Sequence, residues 1–263
     1  MRALPLLRFL AALVAANWKA AWSMRTAFWM QVFFMLGNDL LWFGVWTIVF
    51  ARFEVIGGWR LADMAVLQGV LAGSFGISVV LLYGVRDLAL AIDQGDLDTI
   101  LTQPKSPLLH ALASRTSVSG FGDLLYAVVL LAASAQVGLA QIPVALLALV
   151  CGAVAFTSAS VLFHCAAFWL GPIQPLAASM REYLILFSGY PETLFVGGLR
   201  GFLFTAMPAA FAAWMPAELV RDFSATSLLW AVGGAAGLAI AASLVFRAGL
   251  RRYVSGSRFT VRA

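Results

Sequence analysis

The sequence predicts an all-α protein that crosses a membrane several times. Hydrophobic residues make up 62% of the 263-residue chain and charged residues only 11%, whereas a soluble domain averages about 25% charged residues. The mean hydropathy is +0.93. The apolar residues form runs of about 20, the length that an α-helix needs to cross a bilayer. This composition excludes an ordinary soluble enzyme, a coiled coil and a disordered tail.

Six membrane spans are predicted, preceded by a helix that lies along the inner membrane surface. Residues 1–27 mix apolar residues such as Phe9 with basic residues such as Arg8, a pattern typical of an amphipathic interfacial helix. A six-helix transmembrane domain is expected over 28–250, and a cytoplasmic tail over 251–263. The predicted spans cover residues 28–50, 61–83, 118–137, 143–170, 175–190 and 227–246.

The stretch 175–215 is too long for one span and too short for two spans with a loop. The residues that interrupt it are Pro191, Gly197, Gly198 and Pro208. Proline breaks a helix, and irregular backbone at membrane depth persists only inside protein or beside water. We expect a span over 175–190 and then a re-entrant hairpin over 191–213 that enters from the outer face. A kinked span that reaches further is the alternative.

The basic residues predict that both termini lie in the cytoplasm. With six spans and an inner N-terminus, 12 of the 17 Lys and Arg residues lie on the inner side and 4 on the outer side, and inner loops are the ones enriched in basic residues. Arg181 falls within a span and is assigned to neither side. Orientation therefore explains the net charge of +5, and we expect no nucleic-acid partner.

Polar residues in the middle of the first span are candidates for function. Asn38 and Asp39 lie at its centre, where an ionised Asp costs about 2.5–3.5 kcal/mol on insertion scales. Asp39 either faces a translocation path, where it would attract a cationic or polar substrate, or pairs with Arg181 or Arg200 and holds helices together. Asp123, about one turn into the third span, is expected to cap the helix or to hydrogen-bond locally.

The longest hydrophilic stretch, 86–117, lies on the inner side and predicts a short helix across the inner face. Gly95 can close one helix in the left-handed conformation, and Asp96 can cap the next. Pro104 ends that helix, and Ser106-Pro107 is typical of the start of another. The polar residues displayed by the short helix would be Asp96, Asp98, Thr99 and Gln103. A plain polar connector is the alternative.

This loop resembles the inner loop of bacterial type-2 ABC exporter permeases. The residues that carry the resemblance are Gly95-Asp96-Leu97-Asp98, Leu101, Pro104, Pro107-Leu108 and Ser114-Arg115. Other pieces match in order along the chain: Gly37-Asn38-Asp39-Leu40, Gly57-Gly58-Trp59, Gly122-Asp123-Leu124, Tyr190-Pro191, Leu199-Arg200, Met207-Pro208, Met215-Pro216 and Gly249-Leu250-Arg251-Arg252-Tyr253. The resemblance covers nearly the whole chain, and the order and spacing of the pieces make it specific.

The resemblance implies the permease subunit of an exporter in the bacterial cytoplasmic membrane. Its expected partners are two copies of an ATP-binding subunit, a second permease that is identical or homologous, and membrane lipids. The loop 85–117 would be the coupling loop that meets the ATPase. Its candidate coupling residues are Asp93, Gly95, Asp96, Leu97, Asp98, Leu101, Pro104 and Pro107. The substrate is unknown, hydrophobic or drug-like compounds being one class that fits; an ion-coupled secondary transporter or channel subunit is the alternative.

The chain itself is expected to hold no cofactor or metal and to catalyse no reaction. A P-loop needs Gly-x4-Gly-Lys-Ser/Thr, because its backbone N–H groups and its lysine bind the phosphates. The two lysines, Lys19 and Lys105, do not follow a glycine. ATP and Mg²⁺ would therefore bind to the partner subunit, which would hydrolyse the ATP.

Overall fold

The computed structural model describes residues 3–103 and 105–253, and its regular elements there are helices. Pro104 and the part of the tail over 254–263 lie outside the described residues. The α-helices are α1 (Ala3–Ser23), α2 (Arg25–Arg52), α3 (Leu61–Leu82), α4 (Leu88–Gln94), α5 (Asp98–Leu101), α6 (Pro107–Ala113), α7 (Gly120–Ala133), α8 (Ile142–Cys165), α9 (Ala167–Leu170), α10 (Gln174–Ser188), α11 (Gly197–Phe204), α12 (Met215–Arg221) and α13 (Ala225–Leu250). The predicted all-α fold class is confirmed for this part of the chain.

Four helical stretches of the described residues are long and apolar enough to cross a membrane. They are Arg25–Arg52, Leu61–Gln94, Leu139–Leu170 and Ala225–Leu250. The predicted third and fifth spans correspond to α7 and α10, which have 14 and 15 residues. At 1.5 Å per residue each is only about 21–23 Å long, against a hydrocarbon core of about 30 Å. The six-span count therefore stays a prediction.

Helix α7 is shorter than predicted at its C-terminal end. The prediction ran to residue 137, but the helix ends at Ala133. Ser134 caps it, and Ala135 adopts a positive φ of 55°, a conformation that does not continue a right-handed helix. The hydroxyl of Ser134 donates to the Leu131 carbonyl oxygen at 2.8 Å, which satisfies one of the last carbonyls of the helix.

Helix α3 forms the centre of the bundle and packs against α7 on one side and α8 on the other. Small residues allow these helices to approach closely. A Cβ atom built on Gly76 would lie 2.9 Å from the Gly120 carbonyl oxygen of α7, and one built on Gly152 of α8 would lie 2.2 Å from the Ser74 hydroxyl. Close backbone approach between small residues is a common way for membrane helices to pack.

The segment between α10 and α13 folds back on itself. Near its start, Thr193 lies beside Gly57, where an added Cβ would be 2.5 Å from the threonine hydroxyl, and at its end Arg221 binds Asp63 at 3.0 Å. Its middle lies deeper in the bundle, since a Cβ on Gly152 would be 2.8 Å from the Ala212 carbonyl oxygen. The segment therefore enters and leaves at the end of the bundle that carries the α2–α3 connection.

Prolines interrupt the helices of this segment, as the sequence predicts. We call 191–204 its first limb and 208–221 its second limb, and the second limb extends past residue 213. The chain leaves α10 before Pro191, and it breaks again between α11 and Pro208. A π-helix over Ala210–Trp214 then runs directly into α12, which ends at Arg221 rather than at 213. The π turn precedes Pro216, which has no N–H to continue the regular helical hydrogen bonds. The re-entrant hairpin over 191–213 stays a prediction, and the helical structure after Pro208 continues past residue 213 to Arg221.

The second limb is buried among the other helices, whereas the first limb is exposed. Ala209, Ala210, Ala213 and Ala217 have no exposed surface. Trp214 Nε1 donates to the Tyr190 carbonyl oxygen at 2.9 Å. In α11, by contrast, Leu203 is buried and Gly197 and Gly198 are exposed, Gly197 with a positive φ of 60°. The limb that enters the bundle is thus the one made of small residues.

Helix α1 packs against the C-terminal ends of α3 and α6. Asn17 Nδ2 donates to the Ala113 carbonyl oxygen at 3.1 Å, and Trp18 Nε1 donates to that of Val80 at 3.4 Å. The helix ends at Ser23, and α2 begins at Arg25. The predicted N-terminal helix is therefore present within residues 3–23, a few residues shorter than the predicted segment 1–27.

Candidate functional site

A cavity of about 400 Å³ lies among α2, α3, α7 and α10. Its size falls within the range of about 300–1,000 Å³ that is usual for small-molecule sites. Asn38 and Asp39 of the first predicted span line it, so the structure places both of these candidate residues at one site. Asp123 and Tyr126 of α7 line it as well.

Asp39 and Asp123 face each other in this cavity. Their carboxyl groups lie within hydrogen-bonding reach of each other, and Asn38 Nδ2 donates to Asp39 Oδ1 at 3.4 Å. The Oδ2 atoms of both carboxyls are buried and meet no N–H or hydroxyl donor among the described residues. A hydrogen bond between two carboxyl groups needs a proton on one of them. Two carboxyl groups placed in this way can share a single proton.

Gly122 brings the two carboxyl groups together. A Cβ atom at this position would lie 2.6 Å from the Val32 carbonyl oxygen and 2.7 Å from the Met35 Cβ atom, both on α2. The glycine therefore allows α7 to touch α2 directly. Asp123 is the next residue along α7, and Asp39 lies one turn beyond Met35 on α2, so this contact sets their separation.

Asp39 forms its pair with a carboxyl group rather than with an arginine. The Arg181 guanidinium lies 5.8 Å from the ring centre of Phe75 and 6.0 Å from that of Phe156. Arg200 binds Glu192 at 3.5 Å, at an exposed position. Within residues 3–103 and 105–253, neither arginine forms an ion pair with Asp39. The expected pairing of Asp39 with Arg181 or Arg200 is therefore replaced by Asp39–Asp123.

The rest of the cavity is largely aromatic and apolar. Trp42, Phe75, Tyr126 and Tyr190 contribute rings to its wall. Tyr126 is 2% exposed, and its hydroxyl is buried without a hydrogen-bond partner among the described residues. Trp42 and Leu186 line the cavity and are also 52% and 44% exposed. The cavity therefore opens to the outside of the chain between α2 and α10.

Sequence reasoning missed three of the polar residues at this site. Asp123 was expected to cap its own helix or to hydrogen-bond locally, and no function was predicted for Tyr126 or Glu182. The available signal was spacing, since Asp123 and Tyr126 are three residues apart and so share one face of an otherwise apolar helix. Glu182 lines the cavity from α10 while its neighbour Arg181 points away, as expected for adjacent helical residues about 100° apart.

The inner loop is the second candidate site, and its anchor is Leu97. Gly95 ends α4 with a left-handed φ of 79°, as predicted, and its N–H donates to the Ala91 carbonyl oxygen. Leu97 has no exposed surface, whereas Asp93 and Asp96, which precede it in the chain, are exposed. The loop therefore fixes one apolar residue in the core and presents carboxylates outwards.

Two details of the loop differ from the predicted capping. Helix α5 begins at Asp98, with Leu97 at the N-cap and no capping side chain. Asp96 contributes its carbonyl oxygen, which accepts from the Thr99 hydroxyl at 3.0 Å, so the expected Asp96 side-chain cap is wrong. Pro107 occupies the first turn of α6 as predicted. Leu101 is 38% exposed.

Tyr253, three residues after the end of α13, interacts with this loop. Burial, and then the Asp98 carboxyl group, raise the pKa of Tyr253 to about 12. Phe168 contacts the Tyr253 ring with 6.4 Å between ring centres. On the other side of the loop, Arg115 forms an ion pair with Asp87. The middle of the loop is thus tied to the residue after α13, and the two ends of the loop are tied to each other.

Comparison with known proteins gives one match. A family model described as "ABC-2 family transporter protein" matches residues 33–257, a range that contains both the cavity and the inner loop. No curated protein and no solved structure matches the chain. The match covers well over half of the sequence. The chain therefore belongs to the ABC-2 family of transporter permeases, the membrane subunits of ABC transporters.

Proposed function

We propose that this chain is the permease subunit of an ATP-driven exporter, moved by separate subunits that hold ATP and Mg²⁺. The observation that carries the proposal is the inner loop. Its Leu97 is wholly buried while Asp93 and Asp96 are exposed. An exposed acidic surface with a rigid anchor suits a subunit that receives a mechanical push from a partner.

The anchor connects the loop to two long helices. Leu97 belongs to an apolar cluster that includes Leu88 of α4, Cys165 at the end of α8 and Phe246 near the end of α13. Packed interiors transmit displacement because they contain few voids. A movement of the loop would therefore shift the inner ends of α8 and α13, and this is how ATP-driven closure of the partner would reach the membrane helices.

Helix α1 would take part in the same coupling. The Lys105 ammonium lies 3.4 Å from the ring centre of Phe9, and the Phe9 ring contacts His110 edge-on. These contacts join α1 to Lys105 and to α6, both within the coupling loop. An ATPase that docks below the chain would then act on the loop and on α1 together.

We further propose that a second permease, identical or homologous, covers part of α2. Among the described residues of this helix, those that are buried are Phe28, Val32 and Phe50. Phe34, Leu41 and Ile48, spaced seven residues apart along one face, are 71–81% exposed. A seven-residue apolar repeat is typical of a helix that packs against another helix. Lipid would cover the remaining apolar surface.

In the proposed orientation both termini lie in the cytoplasm of a bacterial cell, and the folded-back segment 191–221 faces outwards. Its buried second limb would line the outer gate, and α7 and α10 would complete six spans. The shorter length of these two helices is supported by their packing against α3 and α8, so that only part of each helix faces lipid.

The experiment is purification of the tagged chain from its own membrane, followed by mass spectrometry of the proteins bound to it. We expect a stoichiometric protein with a P-loop, and ATP hydrolysis by the complex. Asp93→Lys with Asp96→Lys should detach this protein or uncouple its ATPase activity from transport, whereas Glu54→Lys at the other end of the molecule should not. Coupled transport unchanged by the double reversal would overturn the assignment of the loop.

A second candidate function is an ion-driven transporter, and the Asp39–Asp123 pair is the observation that favours it. Intramembrane carboxyls that hold a proton are typical of proton-coupled carriers. Membrane vesicles distinguish the two candidates. ATP with collapsed ion gradients should drive transport by the proposed exporter, and a proton gradient without ATP should drive the alternative.

A further inference from the structure

The described wall of the cavity contains carboxyl groups and aromatic rings but no basic side chain. Asp39, Asp123 and Glu182 line it, and none of the described residues that line it is Lys, Arg or His. Arg181, the neighbour of Glu182 on α10, does not line the cavity, and its guanidinium lies over the rings of Phe75 and Phe156. The cavity is therefore negatively charged on the inside.

Buried polar atoms at the wall point to a missing ligand. Asp123 is 3% exposed and Tyr126 is 2% exposed, yet Oδ2 of the aspartate and the hydroxyl of the tyrosine have no N–H or hydroxyl partner among the described residues. Buried polar groups in proteins are nearly always hydrogen-bonded. Both residues line the cavity, so a positive charge held there would be attracted to these oxygen atoms.

Taken with the proposed function, on which this inference rests, we propose that the cavity binds a lipophilic organic cation as the transported substrate. The positive charge would lie beside Asp39 and Asp123, and the apolar body of the cation would lie against Trp42 and Tyr190. Aromatic rings attract a cation over their faces as well as offering apolar surface.

The geometry favours an organic cation over a metal ion. Among residues 3–103 and 105–253, no group of three His, Cys, Asp or Glu side chains is arranged to hold a metal. Aromatic rings do not ligate Mg²⁺ or Ca²⁺, which take oxygen ligands. The opening between Trp42 of α2 and Leu186 of α10 is itself apolar, as the entry of a lipophilic molecule requires.

The test uses the full chain, purified with its bound subunits into lipid nanodiscs and measured without ATP. The probes are tetraphenylphosphonium, a permanent cation, and tetraphenylborate, an anion of the same shape. We expect the cation to bind and the anion to fail to displace it. Asp39→Asn and Asp123→Asn should each raise the Kd for the cation at least about tenfold. Glu54→Gln, which removes an exposed carboxylate outside the cavity, should leave it unchanged.

A second measurement needs no variant and covers the case in which the aspartate variants fail to fold. Dicyclohexylcarbodiimide modifies protonated carboxyl groups in apolar surroundings, and mass spectrometry locates the modified residue. Tetraphenylphosphonium should slow modification of Asp39 or Asp123 in the unaltered chain, and tetraphenylborate should not. The proposal would be overturned if the two probes bind equally well or if the folded aspartate variants bind the cation with unchanged affinity. It would also be overturned if the cation does not change the rate at which the carbodiimide modifies either aspartate.

Failure here is separate from failure of the proposed function. Binding of the cation is measured without nucleotide and depends on the cavity alone. The exporter proposal depends on a bound ATPase and on the inner loop. A complex that couples ATP hydrolysis to transport but ignores the cation would keep the function and reject this substrate class.

Discussion

Arg221, the last residue of α12, binds Asp63 in the first turn of α3. Its Nε lies 3.0 Å from Asp63 Oδ1, and its guanidinium carbon lies 4.0 Å from the ring centre of Trp59. Gln136, just beyond α7, donates to the same Asp63 oxygen at 3.0 Å. One carboxylate therefore joins three parts of the chain at the end of the bundle where the folded-back segment enters and leaves.

Asp63→Asn should destabilise this end of the molecule. It removes the charge that both partners bind, at a site where the Asp63 and Arg221 side chains are 15% and 20% exposed. We expect a loss on the order of 1–3 kcal/mol, seen as a lower thermal unfolding midpoint in detergent. Glu54→Gln, an exposed carboxylate in the same connection, serves as control. Equal midpoints for the two variants would contradict the assigned role of Asp63.

Gly122→Ala should separate α7 from α2. The added Cβ would lie 2.6 Å from a backbone oxygen of α2, and overpacking of this kind costs about 1–3 kcal/mol. The matched control is Gly237→Ala in α13, where a Cβ would meet nothing within 4 Å. We expect the control to keep or raise the unfolding midpoint, since Ala favours a helix over Gly by about 0.5–1 kcal/mol. A stable Gly122→Ala chain would show that the helices do not need this contact.

Leu97→Ala should loosen the inner loop and weaken its coupling to α8 and α13. Truncation of a fully buried leucine costs about 2–5 kcal/mol. Limited proteolysis should show faster cleavage within the loop, and ATP hydrolysis should become less dependent on substrate while the complex still assembles. Leu101→Ala removes an equal volume from an exposed position of the same loop. If both variants behave alike, Leu97 is not the anchor.

The contact between α1 and α6 should weaken in acid. Burial, and then the nearby Lys105 charge, lower the pKa of His110 below the usual histidine value of about 6.5. The unfolded state therefore binds the proton more readily, and this stabilisation is present above about pH 6.5 and is lost as the pH falls towards the lower folded pKa. The protection factors of the α1 amides, which correct hydrogen exchange for its intrinsic pH dependence, should fall between about pH 7.5 and pH 5. His110→Phe, which keeps a ring beside Phe9, should remove that pH dependence.

Most of the fold followed from local features of the sequence. Apolar runs located the four long spans, and Gly95 and Pro107 marked helix ends because their backbone preferences act within a single turn. The lengths of α7 and α10 did not follow, because each helix packs against another helix of the bundle, and the apolar pattern of a segment does not show which helix it will contact. The extension of α12 past Pro216 required a π turn, which has no strong sequence signal.

Only part of the candidate site could be predicted from the sequence. Asp39 stood out because an acid in an apolar run is rare. Its partner was not predictable, since contact with Asp123 depends on how closely α2 and α7 approach, and this is set by Gly122 in three dimensions. The arginines proposed as partners were chosen by charge alone, and aromatic rings bind Arg181 instead.

The few buried residues of α2 have a consequence for how the cell treats the isolated subunit. The buried residues of α2 are Phe28 and Val32 near one end and Phe50 at the other. The middle of the helix is therefore held in the bundle mainly by its contact with α7. Segments with few buried contacts open first. A copy synthesised without its companion would expose α2 to quality-control proteases, and the amounts of the two subunits would be balanced by degradation of the excess.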